Sequence, residues 1–163
     1  MSNYTDGHIE SRKSLIELAK SANHTLLSTG GLAIKAGGSA LVKAATACRA
    51  FVNGTLVSIS ANTDMAALAG TITADLFNVY VFSVDSAGTL YTQMGTEGAA
   101  LGDIVFPVVP ADRAVIGFII VNPTGTGNFV GGTTALDDAT VVPNAVYVNT
   151  PYPFNPSLSL AAA

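Results

Sequence analysis

The chain has 163 residues and a mass of 16.5 kDa, enough for one ordinary domain and too short for two well-cored ones. Hydrophobic residues make up 49% of it and charged residues 11%, against a usual charged share of about 25%, a balance that excludes intrinsic disorder. The mean hydropathy is +0.46, yet the longest apolar run near a charge-free centre, residues 114–121, is about one strand long; a membrane-spanning helix needs roughly 20 residues. Residues 1–49 hold six of the seven bases and three acids, whereas residues 50–163 hold Arg113 and eight acids. The bases are too dilute to form the clustered face that nucleic acid requires. Acids near the start (Asp6, Glu10, Glu17) and no apolar run there predict a chain made without export. One cysteine, Cys48, leaves no internal disulfide.

Residues 7–22 carry the one helical pattern: Leu15, Ile16, Ala19 and Ala22 share a stripe with Ile9, and Glu10, Arg12, Lys13, Glu17 and Lys20 lie opposite. Asp6 suits the N-cap and Asn23 the stop. A helix this short is marginal alone and must dock on something. Gly30-Gly31 then marks a joint, after which short β-type runs alternate with turns at 32–36, 40–44, 49–53, 55–60, 76–85, 89–94, 104–109, 114–122 and 128–130. Asn53-Gly54 predicts a tight hairpin, and Asp85-Ser86-Ala87-Gly88 joins the next pair. Within 76–84, Leu76, Asn78, Tyr80, Phe82 and Val84 share one face and Phe77, Val79, Val81 and Ser83 the other. Both faces are largely apolar, which predicts a central strand covered on two sides. Residues 62–69 read as a short helix or an irregular link. Pro143, Pro151, Pro153 and Pro156 are too close together for a central strand, and Tyr147, Tyr152 and Phe154 among them suit an extended segment that docks in a groove. No residue from 139 to 163 is charged, a surface suited to protein contact.

The expected fold is mainly β, an antiparallel β-sandwich or jelly-roll-like barrel, with a short N-terminal helical arm and an extended Pro/aromatic C-terminal tail. The expected organisation is an arm at 1–30, a β domain at 31–142 and a tail at 143–163.

Residue types for chemistry are few. His8 and His24, the only histidines, are 16 residues apart and match no metal pair on one helical face. Cys48 reads as a small buried hydrophobe, since no histidine adjoins it. Asp137-Asp138 lacks the alternating acids of a calcium loop and reads as a turn. The glycines of 125–132 follow a strand but open no helical pattern, so a hairpin or bulge is expected rather than a phosphate cradle. No catalytic, cofactor-binding or metal-binding residue is predicted, and no enzyme activity.

Three phrases carry a resemblance: Phe82-Ser83-Val84-Asp85-Ser86-Ala87-Gly88-Thr89-Leu90, then Pro110-Ala111-Asp112-Arg113-Ala114-Val115-Ile116-Gly117-Phe118-Ile119-Ile120-Val121, then Phe129-Val130-Gly131-Gly132-Thr133-Thr134-Ala135-Leu136. In this order they resemble the small head-decoration, or cement, proteins of tailed bacteriophages. The resemblance implies a structural protein on the capsid exterior, made in the host cytoplasm, that clamps neighbouring subunits of the major capsid protein, often as a homotrimer. It implies no nucleic-acid or membrane partner. Similar phrases occur in head-fibre and tail-associated proteins, and a small-ligand-binding β-barrel is the rival from another class. The residues expected at a protein interface are Ile9, Arg12, Lys13, Leu15, Ile16, Ala19 and Lys20 of the arm and Tyr152 and Phe154 of the tail.

Overall fold

The computed structural model describes residues 24–143 and 145–150. Among these the strands in chain order are β1 (Thr25–Leu26), β2 (Leu32–Ile34), β3 (Val42–Ala44), β4 (Cys48–Val52), β5 (Thr55–Ile59) and β6 (Thr63–Asp64), then β7 (Thr71–Ile72), β8 (Asn78–Asp85), β9 (Leu90–Met94), β10 (Arg113–Val121), β11 (Phe129–Val130) and β12 (Val146–Asn149). The single helical element among the described residues is a 3-10 turn at Leu101–Asp103. The described region is mainly β, and every strand pairing in it is antiparallel.

The longest apolar runs become the two inner strands of a four-stranded sheet ordered β12-β10-β8-β9. Every residue of β8 but the last is buried, as its two apolar faces require. On the inner face, Tyr80, Phe82 and Val84 of β8 with Ile116, Ile119 and Val121 of β10 pack on Leu26, Val42, Ala50, Val52, Ile72 and Phe129 from the other sheets. Those sheets are β1-β4-β5, β2-β3-β6 and the pair β7-β11. Tyr80 and Phe129 meet edge-to-face, ring centres 6.1 Å apart, an arrangement favoured by the ring quadrupoles. On the outer face Val79 and Val81 join Val115, Phe118 and Ile120 under Ile104, Phe106 and Val109.

The Asn53-Gly54 hairpin forms as expected. Both residues have positive φ, 48° and 76°, the geometry of a turn whose twist matches that of the flanking strands, and it sets the β4–β5 register from Val52↔Thr55 to Cys48↔Ile59. Gly88, with φ 84°, closes the β8–β9 hairpin. In β10 the register with β8 slips between Val115 and Gly117, a bulge that turns Ile116 into the core. Gly117 is needed there: a Cβ would run into the Val148 carbonyl oxygen and Leu32 Cδ1.

Three local expectations differ from the structure. Residues 104–109 form no strand; one isolated bridge, Thr96↔Val105, holds them, because Pro107 and Pro110 cannot donate to a ladder, and they serve as cover for the outer face. Residues 62–69 give the two-residue β6 and then irregular backbone. Besides β6, three strands lie outside the expected runs: β1, β7, which pairs with β11, and β12. β1 pairs with β4 and brings Leu26, 1% exposed, into the core, so the chain from His24 onward belongs to the β fold. β12 pairs with β10 at the sheet edge, and Asn149 Oδ1 accepts from the Leu32 amide at 2.8 Å, linking two sheets. The helical pattern at 7–22 and the tail beyond residue 150 lie outside the described residues.

Candidate interaction surface

Of the seven large apolar side chains exposed among the described residues, four lie on the outer side of the four-stranded sheet or in the stretch that crosses it, and Leu27, Leu56 and Val130 lie elsewhere. Because side chains alternate along a strand, one face collects Val79 and Val81, the directly opposed Ile120 and Phe118, and next to these Val146 and Val148 of β12. The stretch after β9 crosses this face. Phe106 stands edge-on to Phe118 at 5.1 Å and 89°, Ile104 is buried, and Gln93 Nε2 donates to the Val108 carbonyl at 3.2 Å. The covering stretch itself exposes Leu101, Val105 and Val108, at 57%, 55% and 75%, and Val146 of the edge strand β12 is 50% exposed. Contiguous exposed apolar side chains mark a contact surface more often than scattered single ones do, and three of these four lie within one stretch of chain, 101–108.

One end of the same face is polar. Arg113 stands opposite Asp85 in the β10–β8 register, and its guanidinium lies 3.5 Å over the centre of the Tyr91 ring, a cation–π contact. Asp85 Oδ1 accepts from the amides of Ala87 and Thr89, both at 2.9 Å, and Oδ2 accepts from the Tyr91 hydroxyl at 2.9 Å. The Thr89 amide bond is the largest influence on this carboxyl and lowers its pKa; burial opposes it, and the Tyr91 hydroxyl and the Ala87 amide add enough to keep it below the usual carboxylate range. These contacts therefore hold the β8–β9 turn and, through the Tyr91 ring, tie it to the start of β10.

All nine residues expected at an interface, Ile9, Arg12, Lys13, Leu15, Ile16, Ala19, Lys20, Tyr152 and Phe154, lie outside the described residues, as does His8. The remaining candidates have structural surroundings. Cys48 is buried on β4, and burial pushes its thiol pKa up, which disfavours the nucleophilic thiolate. His24 opens β1 with φ 100° and donates its backbone N–H to the Phe51 carbonyl at 2.8 Å. Both carboxylate oxygens of Asp137 accept from the Gly38 amide at 3.0 Å, and Asp138 Oδ1 accepts from the Thr140 amide at 2.9 Å. In the glycine-rich stretch, β11 pairs with β7 and the Gly131 amide donates to the Gly70 carbonyl at 2.8 Å. Lys35 pairs with Asp64 and Lys43 Nζ donates to Asn62 Oδ1. Among the described residues no three or more His, Cys, Asp and Glu side chains come together in a way that could hold a metal ion, and no described helix is long and apolar enough to cross a membrane.

The outer patch was half visible in the sequence. The two-sided apolar character of 76–84 predicted a covered outer face, but Leu101, Val105 and Val108 sit in a run without alternation, from which exposure cannot be read. No family model matches the chain, and neither does any curated protein or solved structure.

Proposed function

We propose that this chain is a structural virion protein that binds the outside of a tailed-phage capsid, cements neighbouring major capsid subunits as a homotrimer, and catalyses nothing. In this reading it is made in the host cytoplasm and resides on the capsid exterior. The β region is a sandwich in which the four-stranded sheet stacks on the smaller sheets, the helical arm and extended tail project from it, and Ile9, Arg12, Lys13, Leu15, Ile16, Ala19, Lys20, Tyr152 and Phe154 make the contacts.

One observation carries the reading: Leu101, Val105 and Val108, in the stretch that covers the outer face of the four-stranded sheet, and Val146 of its edge strand β12 stay exposed, while the inner face packs into the buried core. A low-charge protein with such a face gains by covering it with another protein. The phage-like phrases supply the kind of partner. Two of them map onto the central strands, β8 running into its hairpin and β10, and the third onto β11 and the turn after it. Further support comes from the acids of the β region: Asp85, Asp137 and Asp138 bond backbone amides in turns, and Glu97 accepts from the Thr73 amide and hydroxyl at 2.9 Å.

Burial of the stripe Ile9, Leu15 and Ile16 would contribute about 5–8 kcal/mol before ordering costs, and repeated contacts on a lattice reinforce one another. Co-sedimentation with assembled particles tests the reading. The wild-type chain is expected to pellet with particles and Leu15→Asp with Ile16→Asp to remain in the supernatant with an unchanged melting temperature. Wild-type protein that stays in the supernatant at saturating particle concentration overturns the proposal.

A further inference from the structure

We propose that the outer edge of β5 pairs with β5 of a second copy of this chain, antiparallel and two-fold symmetric about Val57. This contact goes beyond the proposed capsid role and requires neither the arm nor the tail.

The direction of the free backbone groups follows from the ladder. Phe51 and Arg49 accept bonds from the His24 and Leu27 amides at 2.8 and 2.7 Å, so their polar groups face β1. Successive residues of an antiparallel strand alternate in this respect, so Val52, Ala50 and Cys48 face β5, opposite Thr55, Val57 and Ile59. Leu56 and Ser58 therefore turn their N–H and C=O groups away from β4. Among the described residues β5 is the end of its sheet, and no backbone or side-chain partner meets those groups.

Natural sheets protect such an edge with charge, proline, a bulge or a cover. β5 reads Thr-Leu-Val-Ser-Ile, with none of the first two, and its register with β4 has no slip. Leu56 is 52% exposed. Other edges are treated differently: Thr92 and Gln93 of β9 bond the Ala66 and Val108 carbonyls, Asn149 of β12 bonds Leu32, and Asp64 of β6 holds Lys35.

The occupant is a second copy because the edge is complementary to itself. With the axis at Val57, Leu56 stands opposite Ser58 of the partner subunit, and Ser58 opposite Leu56 of the partner subunit. Each is a hydrogen-bonding pair that exchanges two bonds, so every outward group of both residues is satisfied. No like charges meet, since β5 carries none, and the same patch serves both copies, as a two-fold interface requires.

The test combines amide hydrogen exchange with sedimentation velocity on the full chain across a concentration series. Ser58→Pro removes an outward N–H that does not belong to the β4–β5 ladder, and Leu56→Lys sets two cations across the axis. The expected result is slower exchange at Leu56 and Ser58 as concentration rises, with association at least about tenfold weaker in each variant. Leu56 and Ser58 amides that exchange at open-chain rates at every concentration overturn the proposal, including when the protein associates through another face. Leu56→Lys that sediments as wild type also overturns it, whether or not Ser58→Pro folds.

Discussion

Asp85 shows how one side chain can hold several pieces of a surface. Its carboxylate closes the turn through the Ala87 and Thr89 amides and receives the Tyr91 hydroxyl, while Arg113 caps the ring of Tyr91. Because its folded-state pKa is lowered, the stability it contributes is complete above the ordinary carboxylate pKa and is lost as pH falls through the folded value. Asp85→Asn is therefore expected to flatten the acid limb of a melting-temperature profile, and an unchanged limb would contradict this role. Tyr80 behaves oppositely. It is fully buried, its hydroxyl has no partner, and burial pushes its pKa up to about 12. The fold favours the neutral phenol, so Tyr80 costs stability as pH rises from its usual value toward the folded one. Tyr80→Phe removes an unsatisfied buried hydroxyl. Thermal unfolding is expected to show equal or slightly higher stability, by up to about 1 kcal/mol, and a flatter alkaline limb; a loss of more than about 1 kcal/mol would show that the hydroxyl is needed.

At the scale of elements, strands with strong local signals were legible and strands defined by distant partners were not. The alternation in 76–84 identified β8 as central because its side chains record both neighbours, and Asn53-Gly54 carried its own turn geometry. β1 is two residues long, and β12 follows Pro143; each exists because β4 or β10 offers a free ladder, which no local pattern records. The 104–109 run misled for the converse reason: its hydrophobicity comes from covering a face, and its prolines prevent pairing. The bulge in β10 was equally hidden, although Gly117 marks it. Gly117→Ala is expected to destabilise the protein by about 3 kcal/mol through overpacking against Val148 and Leu32, measured by urea unfolding. A change below about 0.5 kcal/mol would mean that β12 shifts freely away from β10.

At the scale of the whole molecule, the inner face of the four-stranded sheet packs into the buried core while the stretch over its outer face exposes Leu101, Val105 and Val108, and the proposed attachment to a particle rests on that contrast. The mainly β, antiparallel character was readable from the sequence, because short runs and frequent turns leave little else. The candidate surface was not readable as a surface, since exposure depends on how residues 95–109 cross the sheet. If Val105 and Val108 contact the capsid, Val105→Asp with Val108→Asp should leave the melting temperature within a few degrees and weaken particle binding at least about tenfold; full binding by this variant would move the contact to the arm and tail alone. The central claim is tested most directly by measuring, in purified virions, the molar ratio of this chain to the major capsid protein. A fixed ratio that survives repeated purification is the result predicted here, and absence of the chain from intact particles would contradict it.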